Sequence, residues 1–297
     1  MFRRELLAEV RDVVSNALEK KEFQYHLLCR YPKDYKYLTG FSEKEFKAIL
    51  QLFELQGKHF NVRKRRRSGK SISLEDHFWI GLAKLRRGFE FKHLAHLFDF
   101  EEHDCRIAFL NWLKFVYTFR EKVELSISTS VNDHPPARFK RRFPNSCAMI
   151  IRDIEISAES FRLGSSNNAD YSWKALVCVE PNGTVLFASD IYPSSLSVEQ
   201  IVKKSGLISV IKDNLRSGKL KKGDGIIWSK YPKIEKELTE LGLEVKEKTR
   251  QKIQDPGICE FKILSNIDSC LDCHHVNEVW HICHYLVNMK AKLSRLF

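Results

Sequence analysis

The 297 residues carry 50 Lys and Arg against 38 Asp and Glu, a formal net charge of +12 that points to polyanionic partners. This length allows two modest domains, each with a core of its own. No long apolar run opens the chain, so neither a signal peptide nor a membrane span is expected, and the eight cysteines are expected as reduced thiols of an intracellular protein.

Residues 1–30 show a helical stripe of Leu6, Leu7, Val10, Val13, Val14 and Leu18, ended by Tyr31-Pro32. That region has no metal-ligand spacing. Ser42-x-x-Glu45 is a capping box that predicts a helix through Leu55. Next comes Arg63-Lys64-Arg65-Arg66-Arg67-Ser68-Gly69-Lys70. So dense a run serves as a solvated linker, a nuclear import signal or an arm on phosphates. An arm of that kind releases counterions, and binds in a salt-sensitive way without reading sequence.

Ser73–Phe119 reads as three helices. Ser73 caps the first with Asp76 at the box position, and Phe78, Trp79, Leu82 and Leu85 form its inward face. Gly88 closes it, Lys92–Phe98 is a short second helix and Glu102–Phe119 a longer third. The third opens on Glu101-Glu102-His103-Asp104, acids that suit a helix dipole but face a polyanion poorly. Arg106 and Lys114 remain candidate contacts. Ser126–Pro136 is a polar linker, and Arg138-Phe139-Lys140-Arg141-Arg142 follows as a second basic patch, either a charged face or a nucleic-acid contact.

Cys147–Ser157 is an apolar, β-branched run with charge at its far end, as in a strand buried on both faces. Trp173–Glu180 and Thr184–Ile191 are two more strands, joined by the Pro181-Asn182-Gly183 turn. A helix at Leu207–Leu215, a strand at Gly225–Trp228, a helix at Lys233–Leu241, a strand at Leu243–Lys246 and a closing helix around Val276–Leu296 complete the order. Three strands followed by alternating helices and strands is the order of an RNase-H-like layer. The fold class expected is therefore α/β, a helical amino-terminal region followed by an RNase-H-like mixed domain.

Several phrases carry a family likeness: F-P-N (Phe143–Asn145), P-N-G-T (Pro181–Thr184), S-D-I-Y-P (Ser189–Pro193), K-S-G-L (Lys204–Leu207), Gly223-Asp224, Thr249-Arg250 and F-K-I-L (Phe261–Leu264). In order and spacing the chain, from Leu38 to Met289, resembles harbinger-type transposases with a DDE superfamily endonuclease domain. The stretch S-L-E-D…L-A-K-L-R-R-G-F…L-A-H-L-F…W-L resembles the helix-turn-helix that precedes that domain. The resemblance implies a helical region with a basic linker over 1–69, a helix-turn-helix over 70–125, a linker over 126–137 and the DDE domain over 138–297.

The family's chemistry needs three carboxylates holding two Mg²⁺ or Mn²⁺ ions that activate water and stabilise the leaving oxygen. Alignment on the terminal E-I of the first strand puts Glu155 on the family Glu and Arg152 on the catalytic Asp, leaving Asp153 one residue off, on the opposite strand face. Asp153 and Glu155 are the remnant candidates, with Arg152 expected beside them as a competing charge. Ser229 stands at the second acid, and Val198 at a further family Asp. The helix of the third acid is broken at Pro256-Gly257, leaving Glu260 and Glu278 nearby.

Cys270-x-x-Cys273-His274-His275 and His281-x-Cys283-His284 have ligand-rich spacing. Either Cys270, Cys273, His281 and Cys283 hold zinc, or Cys283 is a small hydrophobe of the closing helix. The expected function is that of a transposase-derived nuclear protein, inactive as a nuclease. It would act by binding DNA through Arg63, Lys64, Arg65, Arg66, Arg67, Lys70, Arg106, Lys140, Arg141 and Arg142, or by binding chromatin-associated or transposase-accessory proteins, with no membrane partner. No cofactor is expected, with Mg or Mn bound only by an active enzyme and zinc only by the Cys/His cluster. The alternatives are an active metal-dependent DNA endonuclease and a degenerate transposon copy with no selected function.

Overall fold

The computed structural model describes residues 32–55, 72–126, 147–157, 172–181, 183–228, 231–247, 257–265, 271 and 273–294. The stripe of 1–30, the basic runs at 63–67 with Lys70 and at 140–142, the linker from 127, Ser229 and Cys270 lie outside the described residues. The chain divides into two compact units, Met1–Trp112 and Leu113–Phe297, the division falling within one long helix.

The first unit is helical. Helix α1 spans Pro32–Thr39, α2 Glu43–Glu54, α3 Leu74–Arg87 and α4 Phe91–Phe98, and α5 begins at Glu102 and runs on to Ser126. Both capping boxes form: Ser42 and Glu45 satisfy each other's backbone N–H at the start of α2, and Ser73 and Asp76 do so at the start of α3. Gly88 at φ 66° ends α3, and Asp99 at φ 53° ends α4 in the left-handed region that Asn and Asp enter most readily after Gly.

Buried rings hold these helices together. Tyr35 of α1 lies 4.6 Å from Trp79 of α3 between ring centroids, and Phe46 of α2 lies 4.7 Å from the same indole. Phe78 bridges Phe53 at 5.3 Å and Trp112 at 5.8 Å. Full burial of each such side chain stabilises by about 2–3 kcal/mol. Helix α1 was not foreseen in the sequence, and α5 extends past Phe119, where the third helix was expected to end.

The second unit is built on a mixed sheet in the order β3-β2-β1-β5-β6, with β4 also pairing β2. Strand β1 covers Cys147–Ser157, β2 Ser172–Val179, β3 Val185–Ala188, β4 Tyr192–Pro193, β5 Gly225–Trp228 and β6 Glu244–Glu247. β1 is antiparallel to β2 and parallel to β5, β2 is antiparallel to β3, and β5 is parallel to β6. This order and these senses make an RNase-H-like layer with β1 at its centre. β3 stops at Ala188 instead of reaching Ile191: the Ser189 hydroxyl accepts the Leu176 N–H and donates to the Asp190 carbonyl. The chain leaves the ladder there and returns as β4.

One sheet face presents Met149, Ile151, Leu176, Cys178, Ile226 and Trp228 to a buried cluster. Helices α6 (Val198–Ser205), α7 (Leu207–Arg216) and α8 (Pro232–Glu240) supply its other half, including Ile201, Val202, Ile211 and Leu238. Helix α9, Cys273–Leu293, packs along β3 and grips the strand region with polar side chains. Asn288 bonds the Val185 backbone, Trp280 Nε1 donates to the Ser189 carbonyl and Asn277 accepts the Ile191 N–H, each at 2.8 Å. Among the described residues no helix is long and apolar enough to cross a membrane.

Candidate functional site at the carboxyl end of β1

The last described pairing of β1 with β5 is Ile150 with Ile227, yet β1 runs on to Ser157 with β2 as its partner. That extension carries Asp153 and Glu155. Strand alternation puts both on the face of Met149 and Ile151, and both are exposed. The structure therefore brings the two remnant acids together on one face.

It surrounds them with groups that no sequence spacing indicated. Glu155 stands opposite Lys174 of β2, with Lys174 Nζ 3.9 Å from its carboxylate. Tyr231, at the start of α8, has its phenol pushed above the usual range by burial and then by the negative charges of Asp153 and Glu155. Its ring lies 5.9 Å from Trp228 at the end of β5. Tyr192 of β4 pairs with Lys174, and its phenol is raised by burial and by Asp190.

Arg152 is not beside the acids, contrary to the sequence expectation. It pairs with Val177 and leaves the strand on the opposite face, because one residue along a strand reverses the side chain.

A two-ion centre needs several carboxylates converging on one point. Among the described residues no group of three or more His, Cys, Asp and Glu side chains is gathered as a metal would require. Glu260 pairs instead with Lys290 at 2.9 Å, and Glu278 is buried in α9. The described donors at β1 are two acids with an ammonium against one of them; position 229 and residues 248–256, where the sequence looks for the other acids, lie outside the described residues.

The Cys/His cluster is divided. Cys270 and the side chain of Cys273 lie outside the described residues. His281 Nε2 is 2.8 Å from Asp190 Oδ1, and its ring lies 6.1 Å from Tyr117. Cys283 is fully buried, and burial raises its thiol far above the usual range. Two positions along a helix turn a side chain by about 200°, so His281 and Cys283 point apart.

Arg106 is exposed on α5, 3.8 Å from Glu102 and 5.4 Å from the Phe91 ring centroid. Lys114 is exposed on the same helix, as are Glu101, Glu102 and His103 at its start.

No protein-family model and no curated protein matches this chain. Two solved structures are similar to it. A Mos1 transposase paired-end complex with left transposon end shares 13% identity over 65% of this chain and 64% of that one, with a TM-score of 0.26. A Mos1 mariner paired end complex with Mn shares 13% identity over 82% of this chain and 86% of that one, with a TM-score of 0.28. The chain thus spans 64% of the length of the first. The RNase-H-like assignment rests on the sheet order and strand senses, not on these two likenesses.

Proposed function

We propose that this chain is a transposase-derived nuclear protein of harbinger type that binds DNA and has lost the nuclease chemistry of its RNase-H-like layer. The observation that supports this reading is the neighbourhood of Asp153 and Glu155: Lys174 Nζ lies 3.9 Å from Glu155, both acids act on Tyr231, and no third acid is gathered with them among the described residues. A buried core can persist without catalysis, because burial depends on the apolar cluster and not on the acids.

In this reading α3, α4 and α5 form a helix-turn-helix, with the turn at Asp99–Glu101 between α4 and α5. The acidic start of α5 makes base reading by that helix weak, and Arg106 adds a phosphate contact. Most of the affinity comes from residues 63–67 and Lys70, with 140–142 as a second arm, and is non-specific and salt-dependent. Chromatin-associated or transposase-accessory proteins are further partners. No resident metal is assigned, and Cys283 serves as a core residue.

The test is titration of the full chain with duplex DNA at several salt concentrations, alongside a variant with residues 63–67 and Lys70 changed to alanine. The reading expects a large loss of affinity and a flatter salt dependence in the variant. Equal binding at every salt concentration would reduce the run to an import signal, and no binding by the parent chain would remove the function.

A further inference from the structure

The loop at the opposite end of the sheet is rich in cations. β5 is parallel to β1 with Gly225 beside Cys147, so the loop entering β5 lies at the amino end of β1. The strand from Cys147 to Glu155 spans roughly 26 Å at ~3.3 Å per residue. Helix α7 and this loop expose Lys212, Arg216, Lys219, Lys221 and Lys222, against exposed Asp213, half-buried Asp224 at the end of the loop and exposed Glu244 on the neighbouring strand.

These cations sit on a framed backbone. Leu220 is buried in the cluster under the sheet, and its N–H donates to the Asn214 carbonyl at 3.0 Å. The Asp224 carboxylate accepts the Lys221 N–H at 2.8 Å, and the Gly223 N–H donates to the Gly242 carbonyl at 2.7 Å. Gly218 at φ 74° and Gly223 at φ 89° take the two left-handed bends that fold the loop back.

Lys212 and Arg216 lie one helical turn apart, about 6 Å. Arg216 pairs with Asp213 at 3.3 Å, but both are largely exposed, and solvent screens such a pair so that it holds the guanidinium only weakly. Lys212, Lys219, Lys221 and Lys222 have no salt bridge among the described residues.

We infer that this corner, formed by the exposed side of α7 and the 217–224 loop, is a contact surface for the phosphate backbone of DNA. The inference rests on the proposed DNA-binding function and adds to it a site within the RNase-H-like unit. A loop whose backbone is already framed loses little backbone freedom when its lysines meet a polyanion. A lipid surface fits less well, because membrane-surface elements add apolar side chains to their cations. The exposed large hydrophobics among the described residues are Tyr37, Leu55, Ile107 and Leu186, none of them in this stretch. DNA on this corner lies at the far end of β1 from Asp153 and Glu155, so the contact holds DNA away from the old acid positions.

The experiment compares the full chain with the variant Lys212→Gln/Arg216→Gln/Lys219→Gln/Lys221→Gln/Lys222→Gln, titrating a fluorescent duplex at several salt concentrations. The variant is expected to bind at least tenfold more weakly, with a log–log salt slope shallower by about 3 if three phosphate contacts are lost. In parallel, acetylation of the parent chain is expected to modify Lys219, Lys221 and Lys222 less in the presence of DNA, a readout that does not depend on the variant folding. If the parent binds DNA with those lysines unprotected and the variant's slope is unchanged, the corner is no DNA surface while the proposed function stands. If the parent binds no DNA, both fall. Loss of binding to phosphatidylserine vesicles with DNA affinity unchanged would assign the corner to lipid and overturn the inference.

Discussion

Asn288 and Val185 exchange two hydrogen bonds, each 2.8 Å: the side-chain oxygen accepts the Val185 N–H and the side-chain nitrogen donates to the Val185 carbonyl. One amide of α9 thus satisfies both backbone groups of the first residue of β3, at an edge where no further strand pairs among the described residues. Asn288→Leu removes both partners and leaves the Val185 N–H and C=O without them. The expected cost is about 1–3 kcal/mol. Thermal or denaturant unfolding checks it.

In the helical unit the critical contact is steric. A Cβ on Gly81 of α3 would stand 2.2 Å from Trp112 Cδ2, and Trp112 is fully buried. Gly→Ala inside a helix ordinarily gains about 1 kcal/mol, but overpacking a filled core costs typically about 1–3 kcal/mol or more. Overpacking wins here, because the indole has no space to retreat into. Gly81→Ala is expected to lower the melting temperature by several degrees, and Gly81→Ala with Trp112→Leu to recover part of the loss.

The parts of the fold that were legible in the sequence are those with local causes. Cys147–Ser157 and Gly225–Trp228 emerge with the bounds that their apolar runs predict, and the Ser42 and Ser73 boxes cap α2 and α3. Helix α1 has no clear apolar period, and forms because Tyr35 and Leu38 are buried in the tertiary core. Helix α6 has its own local signal in the sequence, the Ser197–Gln200 capping box. The candidate site was only half legible. Asp153 and Glu155 are neighbours in sequence, but Lys174 reaches Glu155 through strand register, and Tyr231, at the start of α8, is acted on by both charges. Arg152 was misplaced because sequence adjacency on a strand means opposite faces.

His284 sets a pH dependence. It is buried in α9, edge-on to Trp280 at 4.2 Å, and neither ring nitrogen has a hydrogen-bond partner among the described residues. Burial, helped by the nearby His281, lowers its pKa from 6.5 to about 3. Between those values the unfolded chain binds the proton and the folded one does not, so this contribution is present above pH ~6.5 and is lost as pH falls toward ~3. The slope approaches about 1.4 kcal/mol per pH unit. Melting temperature measured against pH is expected to flatten over that window in His284→Phe, which keeps a ring and removes both nitrogens. A parallel pH profile in the two proteins would contradict the assignment.

The central claim is that the RNase-H-like unit folds but does not cut. The most direct measurement is incubation of the pure full chain with supercoiled DNA in Mg²⁺ or Mn²⁺, scored for nicked product. The account predicts no nicking above a protein-free control, and none after Ser229→Asp, since the late-helix acid that a DDE centre needs would still be absent where the sequence reads Pro256-Gly257. Metal-dependent nicking that disappears in Asp153→Asn or Glu155→Gln would contradict it.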